Sequence, residues 1–356
     1  MVGLHVPGRG ARARGVFLQH AGRRTARPAR SEEARLMAQL EIDDLSLEFR
    51  TRHGVVRALD SVSLSVTRGE IVGVVGESGS GKSVTAYTVM GLNDEAARIT
   101  KGSITMGGID LLAARPEAMR EIRGREMAMI FQSPRTALNP IRKIGKQIED
   151  VLQEHAGLPS RDLKKAAIAA LARVRIPDPE RRADAYPFEL SGGMCQRVMI
   201  AMALACTPSV LIADEPTTGL DVTTQAVIMD LIREMSRSTR MSTLLITHNL
   251  GLAGEYCDRI AVMHAGHIVE IGTTEALLQH PAHPYTRQLL AATPVPESRL
   301  DDLNSIPGHL PDLRGALPPC RFSGRCERRQ LICDEAELPW TELSPAHLVR
   351  CRFPLS

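Results

Sequence analysis

The sequence predicts an α/β fold, a parallel sheet whose strand ends carry a phosphate-binding loop. EIVGVVG (70–76), VLIAD (210–214) and TLLIT (243–247) are short continuous apolar runs, each followed by polar residues. Strands buried on both faces and ending at a site have this form. GESGSGKS (76–83) matches G-x-x-x-x-G-K-[ST] in full. It leaves the first of those strands and opens a helical stretch, Lys82 to about Met90, which is the context the pattern needs. Further strands alternate with helical stretches, as in a sheet covered by helices.

In chain order, LEIDDLSLEF (40–49) alternates and reads as a strand, ALDSVSLSV (58–66) as a second, and MAMIFQ (127–132) as a buried one. From about 140 to 208 the pattern is mostly helical, with the Ala-rich LKKAAIAALARV (163–174), and reads as an insertion. IAVMHAGHIVEIG (260–272) reads as a hairpin turning at Ala265–Gly266. Residues 38–293 form the expected main domain around the phosphate-binding loop, and 294–356, rich in Pro and loop formers, a C-terminal module. Residues 1–37 are rich in Arg, Gly and Ala, with no acid before Glu32, and read as a disordered basic tail, with Met37 as an alternative start. The apolar centre VFL is too short for a secretory signal. A net charge of +3 argues against a nucleic-acid binder, and no apolar run reaches the ~18–20 residues of a membrane span, so a membrane role has to pass through a partner.

The glycines of 76–83 let backbone N–H groups converge on phosphate oxygens, and the helix that follows offers its N-terminus to the anion. Lys82 is expected to reach the β- and γ-phosphates and Ser83 to ligate Mg²⁺. VLIADE (210–215) ends in two carboxylates. Neighbouring strand residues point to opposite sides, so Asp214 is free to hold Mg²⁺ while Glu215 orients and deprotonates a water.

LSGGMCQR (190–197) places Ser191, Gly192 and Gly193 at a helix start, a second anion site with no lysine. It is expected to complete a nucleotide pocket on another subunit, while Met194, Val198 and Met202 behind it form core. With Gln132 after a strand, GLD at 219–221 and His248 after TLLIT, the chain resembles the ATP-binding subunits of ABC transporters over roughly residues 40–356. FQSPRTALNP (131–140), YPFELSGGM (186–194), ADEPTTGLDVTTQ (213–225) and HPYTRQLL (283–290) are similar to the dipeptide, oligopeptide and nickel importer branch.

The resemblance implies a P-loop ABC ATPase fold with an antiparallel β subdomain and two subunits that sandwich two ATP molecules. In that arrangement Gly76, Glu77, Ser78, Gly79, Ser80, Gly81, Lys82, Ser83 and Val84 bind ATP, and Ser83, Gln132 and Asp214 bind Mg²⁺. Glu215 is the catalytic base and His248 contacts the γ-phosphate. Gln132 also senses the permease. Ser191, Gly192, Gly193 and Met194 reach the opposite subunit's ATP, and Asp221 couples the sites at the dimer seam. It further implies a second ATPase subunit (a heterodimer, or else a homodimer), two permeases, an extracytoplasmic solute-binding protein and a place on the cytoplasmic face of the plasma membrane. The implied function is ATP-driven uptake of di- or oligopeptides, the alternatives being nickel or another solute, or a soluble non-transport ABC ATPase. Three positions depart from the family. His53, with Phe49 upstream, stands nearest the adenine-stacking aromatic, Met194 replaces Gln, and Cys195 stands where an arginine is expected, at the cost of a salt bridge.

Cys320, Cys326, Cys333 and Cys351 follow the spacing C-x5-C-x6-C-x17-C. Four thiolates suit either zinc or a [4Fe–4S] cluster. Reduced structural thiols are the plain alternative, and with no secretory signal disulfides are not expected. The resemblance favours [4Fe–4S], with Zn²⁺ as the alternative, in a structural role. Cys195, Cys206 and Cys257 read as small apolar residues.

Overall fold

The computed structural model describes residues 38–293 and 306–355. The expected N-terminal tail and the first part of the C-terminal segment lie outside these residues. The strands are β1 (Ala38–Thr51), β2 (Gly54–Thr67), β3 (Ile71–Val75), β4 (Ala97–Met106), β5 (Ile109–Asp110), β6 (Met127–Ile130), β7 (Val210–Asp214), β8 (Ser242–Thr247), β9 (Arg259–His264), β10 (His267–Thr273), β11 (Trp340–Ser344) and β12 (His347–Arg350). They form two sheets. One has four strands in the order β2-β1-β4-β5, and the other has eight in the order β11-β12-β10-β9-β3-β8-β7-β6. Within the larger sheet β9, β3, β8, β7 and β6 run parallel, and β10, β12 and β11 extend it antiparallel.

The continuous apolar runs follow from this placement. Every residue of β3, β7 and β8 is buried, because the sheet is covered on both faces. Alternate residues divide between two cores. Val72, Val74, Ile212, Leu244 and Ile246 pack with Leu47, Leu59 and Ile104 of the antiparallel sheet. Val75, Leu211, Ala213 and Leu245 pack with the helical side, including Ile148, Leu171 and Val198. The helical stretch expected between 140 and 208 contains helices Ile144–His155, Ser160–Arg173, Pro179–Ala183 and Gly192–Leu204. The β9–β10 hairpin turns at Ala265 and Gly266, both at positive φ, as read from the sequence.

The C-terminal segment is built into this body. β12 pairs antiparallel with β10, Glu270 opposite Val349 and Ile271 opposite Leu348. Cys320, Phe322, Cys333 and Leu338 belong to the same core as the helical side. At the join sits Glu270, 0 % exposed. Its carboxylate accepts from the Ala282 and His283 N–H groups, both at 2.8 Å, and pairs with His347 Nε2 at 2.8 Å. One buried carboxylate thus ties β10, the entry to helix Pro284–Ala291, and β12. Glu270→Ala leaves two buried N–H groups and an imidazole without their acceptor, and is expected to cost at least about 2 kcal/mol of stability. Urea denaturation midpoints of the full chain measure this; a loss below about 1 kcal/mol would contradict it.

Candidate ATP site

The phosphate loop leaves β3 at Val75 and enters helix Lys82–Met90. Gly76 has φ 154°, and a Cβ there would lie 2.1 Å from the Met263 carbonyl oxygen, so only glycine lets the loop pass under β9. Lys82 is 5 % exposed. Its ammonium donates to the Gly76 carbonyl at 2.8 Å and the Glu77 carbonyl at 2.9 Å. Burial pulls it below the ordinary lysine range, against Glu215, Asp214 and Glu77, which favour the charge. Ser83 Oγ donates to Asp214 Oδ1 at 3.0 Å. Asp214 closes β7 at 1 % exposure, and burial pushes its carboxyl up despite that hydrogen bond.

Glu215 stands one residue beyond β7 at φ 47°, a conformation uncommon outside glycine that turns it off the strand. Its N–H donates to the Ile246 carbonyl of β8 at 2.9 Å. Oε2 accepts from Gln132 Nε2 at 3.0 Å and Thr218 Oγ1 at 2.8 Å, and Oε1 meets His248 Nδ1 at 3.1 Å. Burial raises its pKa, but the Thr218 and His248 hydrogen bonds outweigh burial and leave it lowered. The exits of β3, β6, β7 and β8 therefore bring Lys82, Ser83, Gln132, Asp214, Glu215 and His248 to one edge of the sheet, where open α/β sheets bind ligands.

The other predicted residues lie outside this set. Ser191 caps helix Gly192–Leu204, accepting from the Met194 N–H at 3.3 Å. A Cβ on Gly193 would face Thr224 and Leu220, so this turn lies against the loop before helix Val222–Thr239. Asp221 caps that helix through Thr224, with 2.9 Å from its N–H and 2.7 Å from its hydroxyl. His53 is exposed in the β1–β2 turn, while Phe49 is half-buried against the core. Cys195 is 2 % exposed and its thiol reaches the Pro187 carbonyl at 3.3 Å, so this side chain faces the core and not a salt bridge.

All seven cysteines are free. Cys320, Cys326, Cys333 and Cys351 line one pocket with Phe322 and Phe353. Among the described residues, however, no group of three or more His, Cys, Asp or Glu side chains is arranged to hold a metal ion. Burial pushes the Cys320 thiol up to about 12 and raises Cys326 and Cys351 as well.

Three contacts to the site were not read from the sequence. Thr218 holds Glu215. The Tyr285 hydroxyl accepts the Glu77 N–H at 3.0 Å. Arg325 forms a two-pronged pair with the Glu77 carboxylate at 2.7 and 2.9 Å. The sequence signals for the last two were HPYTRQLL, which contains Tyr285, and the Arg preceding Cys326.

A P-loop with a buried lysine, a strand-end Asp–Glu pair, a Gln and His on the Glu, and a serine-capped LSGG helix define an ATP-binding cassette. The chain belongs to the ABC transporter family, whose description "ABC transporter" matches residues 59–218, and within it carries the region described as "Oligopeptide/dipeptide transporter, C-terminal region" at 269–333. A Brucella abortus (strain 2308) protein named for peptide import and ATP binding is 47% identical over 88% of this chain and 94% of its own length. The dipeptide transport ATP-binding protein DppD of Bacillus subtilis (strain 168) is 44% identical over 88% of this chain and 93% of its own. An ATP-binding cassette solved as a dimer in a post-hydrolysis state with ADP and Pi is similar at TM-score 0.60 and 26% identity, over 66% of this chain and 98% of that one.

Gly76→Ala is expected to lower stability by about 1–3 kcal/mol through the collision with Met263, whereas Ser78→Ala, at an exposed side chain of the same loop, leaves it unchanged. Denaturation midpoints of the two variants decide it; equal midpoints would show that the loop tolerates a Cβ.

Proposed function

We propose that this chain is the ATP-hydrolysing subunit of an importer that takes up di- or oligopeptides. The observation that carries the reading is the Glu215 carboxylate, held by Gln132, Thr218 and His248 beside the Ser83–Asp214 pair. The relatives named for peptide import and dipeptide transport support the peptide cargo.

In this reading the backbone of 76–84 and Lys82 bind the phosphates. Ser83, Asp214 and Gln132 would hold Mg²⁺, which supplies positive charge beside the phosphates. Glu215, kept ionised by its hydrogen bonds, takes a proton from water as the water oxygen attacks the γ-phosphorus, and ADP leaves with the electrons of the broken P–O bond. His248 steadies Glu215 and the attacking water. Ser191, Gly192, Gly193 and Met194 reach the ATP of a second ATPase subunit, and Asp221 lies at that seam. The second subunit is a distinct chain, or else a second copy.

Two permeases and an extracytoplasmic binding protein complete the assembly, and the chain sits on the cytoplasmic face of the membrane. Among the described residues no helix is long and apolar enough to cross a membrane. A groove of about 810 Å³ bordered by Gly91, Asn93, Leu112, Met119, Arg123 and His155 lies between the end of the P-loop helix and the helical stretch.

Cys320, Cys326, Cys333 and Cys351 hold a [4Fe–4S] cluster, with Zn²⁺ as the second reading. Four soft donors lining one pocket with Phe322, Leu338 and Phe353 support this. Its role is structural, joining loops that have little core of their own.

Glu215→Gln is expected to keep Mg·ATP binding and to lower steady-state hydrolysis by about 10²-fold or more in the assembled transporter. Normal turnover by this variant would remove Glu215 from the role of base. Anaerobically purified full-length protein is expected to show a broad band near about 400 nm that dithionite bleaches. Colourless protein with stoichiometric zinc would replace the iron–sulfur assignment.

A further inference from the structure

The second residue of the phosphate loop is an acid, Glu77, placed where a triphosphate brings several negative charges. Glu77 is held on three sides. Its carbonyl takes the Lys82 ammonium, its N–H goes to the Tyr285 hydroxyl, and its carboxylate pairs with both terminal nitrogens of Arg325. The Arg325 side chain is 6 % exposed and that of Glu77 29 %. Arg325 is itself braced. Its Nε donates to the Pro307 carbonyl at 2.7 Å, its Nη1 lies 3.4 Å from His264 Nε2, and its guanidinium lies over the Phe322 ring at 5.8 Å. The stretch that Arg325 grips runs on across the site. A Cβ on Gly79 would meet Leu310 at 3.4 Å, and the Leu313 carbonyl accepts the Arg57 N–H of β2 at 3.0 Å.

We propose that Arg325 is a positioning residue for the phosphate loop. By pairing with Glu77 it cancels an acidic charge that would oppose the bound triphosphate, and it fixes the peptide unit whose carbonyl meets Lys82. The inference rests on the reading of 76–83 as an ATP site and adds a residue of the C-terminal segment to that site. A two-pronged arginine–carboxylate pair fixes direction as well as charge, which a lysine does not reproduce. Arg325 immediately precedes Cys326, so the geometry of the cysteine-bearing loop sets the reach of its guanidinium.

The test is Mg·ATP and Mg·ADP affinity, by calorimetry on the full chain, for wild type, Arg325→Gln, Glu77→Gln and the double variant. Arg325→Gln leaves Glu77 unopposed and is expected to weaken Mg·ATP by about tenfold, and Mg·ADP by less, since the unmasked charge acts on each added phosphate charge. The double variant is expected to bind within about twofold of Glu77→Gln, because with no carboxylate there is nothing left to cancel. An equal loss for ATP and ADP, or no recovery in the double variant, would mean that Arg325 only supports the fold. If Arg325→Gln does not fold, the comparison of the double variant with Glu77→Gln decides alone, and a gap above about fivefold overturns the proposal. Wild type that binds ATP beside an unchanged Arg325→Gln overturns this inference only; wild type that binds no ATP overturns the ATP-site reading beneath it.

Discussion

The Lys82 ammonium is buried, and among the described residues its direct partners are two main-chain carbonyls, those of Gly76 and Glu77. A buried cation is costly unless opposite charge and acceptors stand near it. Asp214 and Glu215 supply the charge from the end of β7, which requires β7 to end level with β3 across the intervening β8. The strand order, the glycine under Met263 and the turn at Glu215 all serve that juxtaposition. The sheet order is therefore a condition on the site and not a separate property of the fold.

Much of this was legible because it is local. A P-loop is eight adjacent residues, a strand covered on both faces is a run of apolar ones, and the β9–β10 turn sits within a single hairpin. Contacts that join distant segments were not. Arg325 and Glu77 are 248 residues apart, and nothing in either neighbourhood names the other. Thr218 was hidden in a stretch read for its strand-end acids, its GLD and its likeness to the importer branch, none of which gave it a role. Cys195 was legible from its own chemistry, a small apolar residue that helix periodicity turns toward the core.

The C-terminal segment shows how little sequence is needed to fasten a loop-rich stretch when the anchors are arginines. Arg321, next to Cys320, is 5 % exposed and donates to the Ala265 carbonyl and to Asp60, which also receives His267. Burial pulls His267 below the ordinary histidine range, against the Asp60 hydrogen bond, which favours its charge. Arg325, next to Cys326, takes the phosphate loop. The residues flanking the thiols, more than the thiols themselves, carry the contacts between this segment and the nucleotide half.

Because β12 covers the outer edge of β10, this side of the sheet depends on residues 347–350, which are made after every strand of the ATP site. Until residues 347–350 have left the ribosome, β10 presents free main-chain donors and acceptors, and Glu270 lacks one of its buried partners. An open strand edge invites pairing with other chains. The strands that carry the ATP site are thus made before their sheet is covered on this side, and β12 with β11 beside it shields that edge from pairing with other chains.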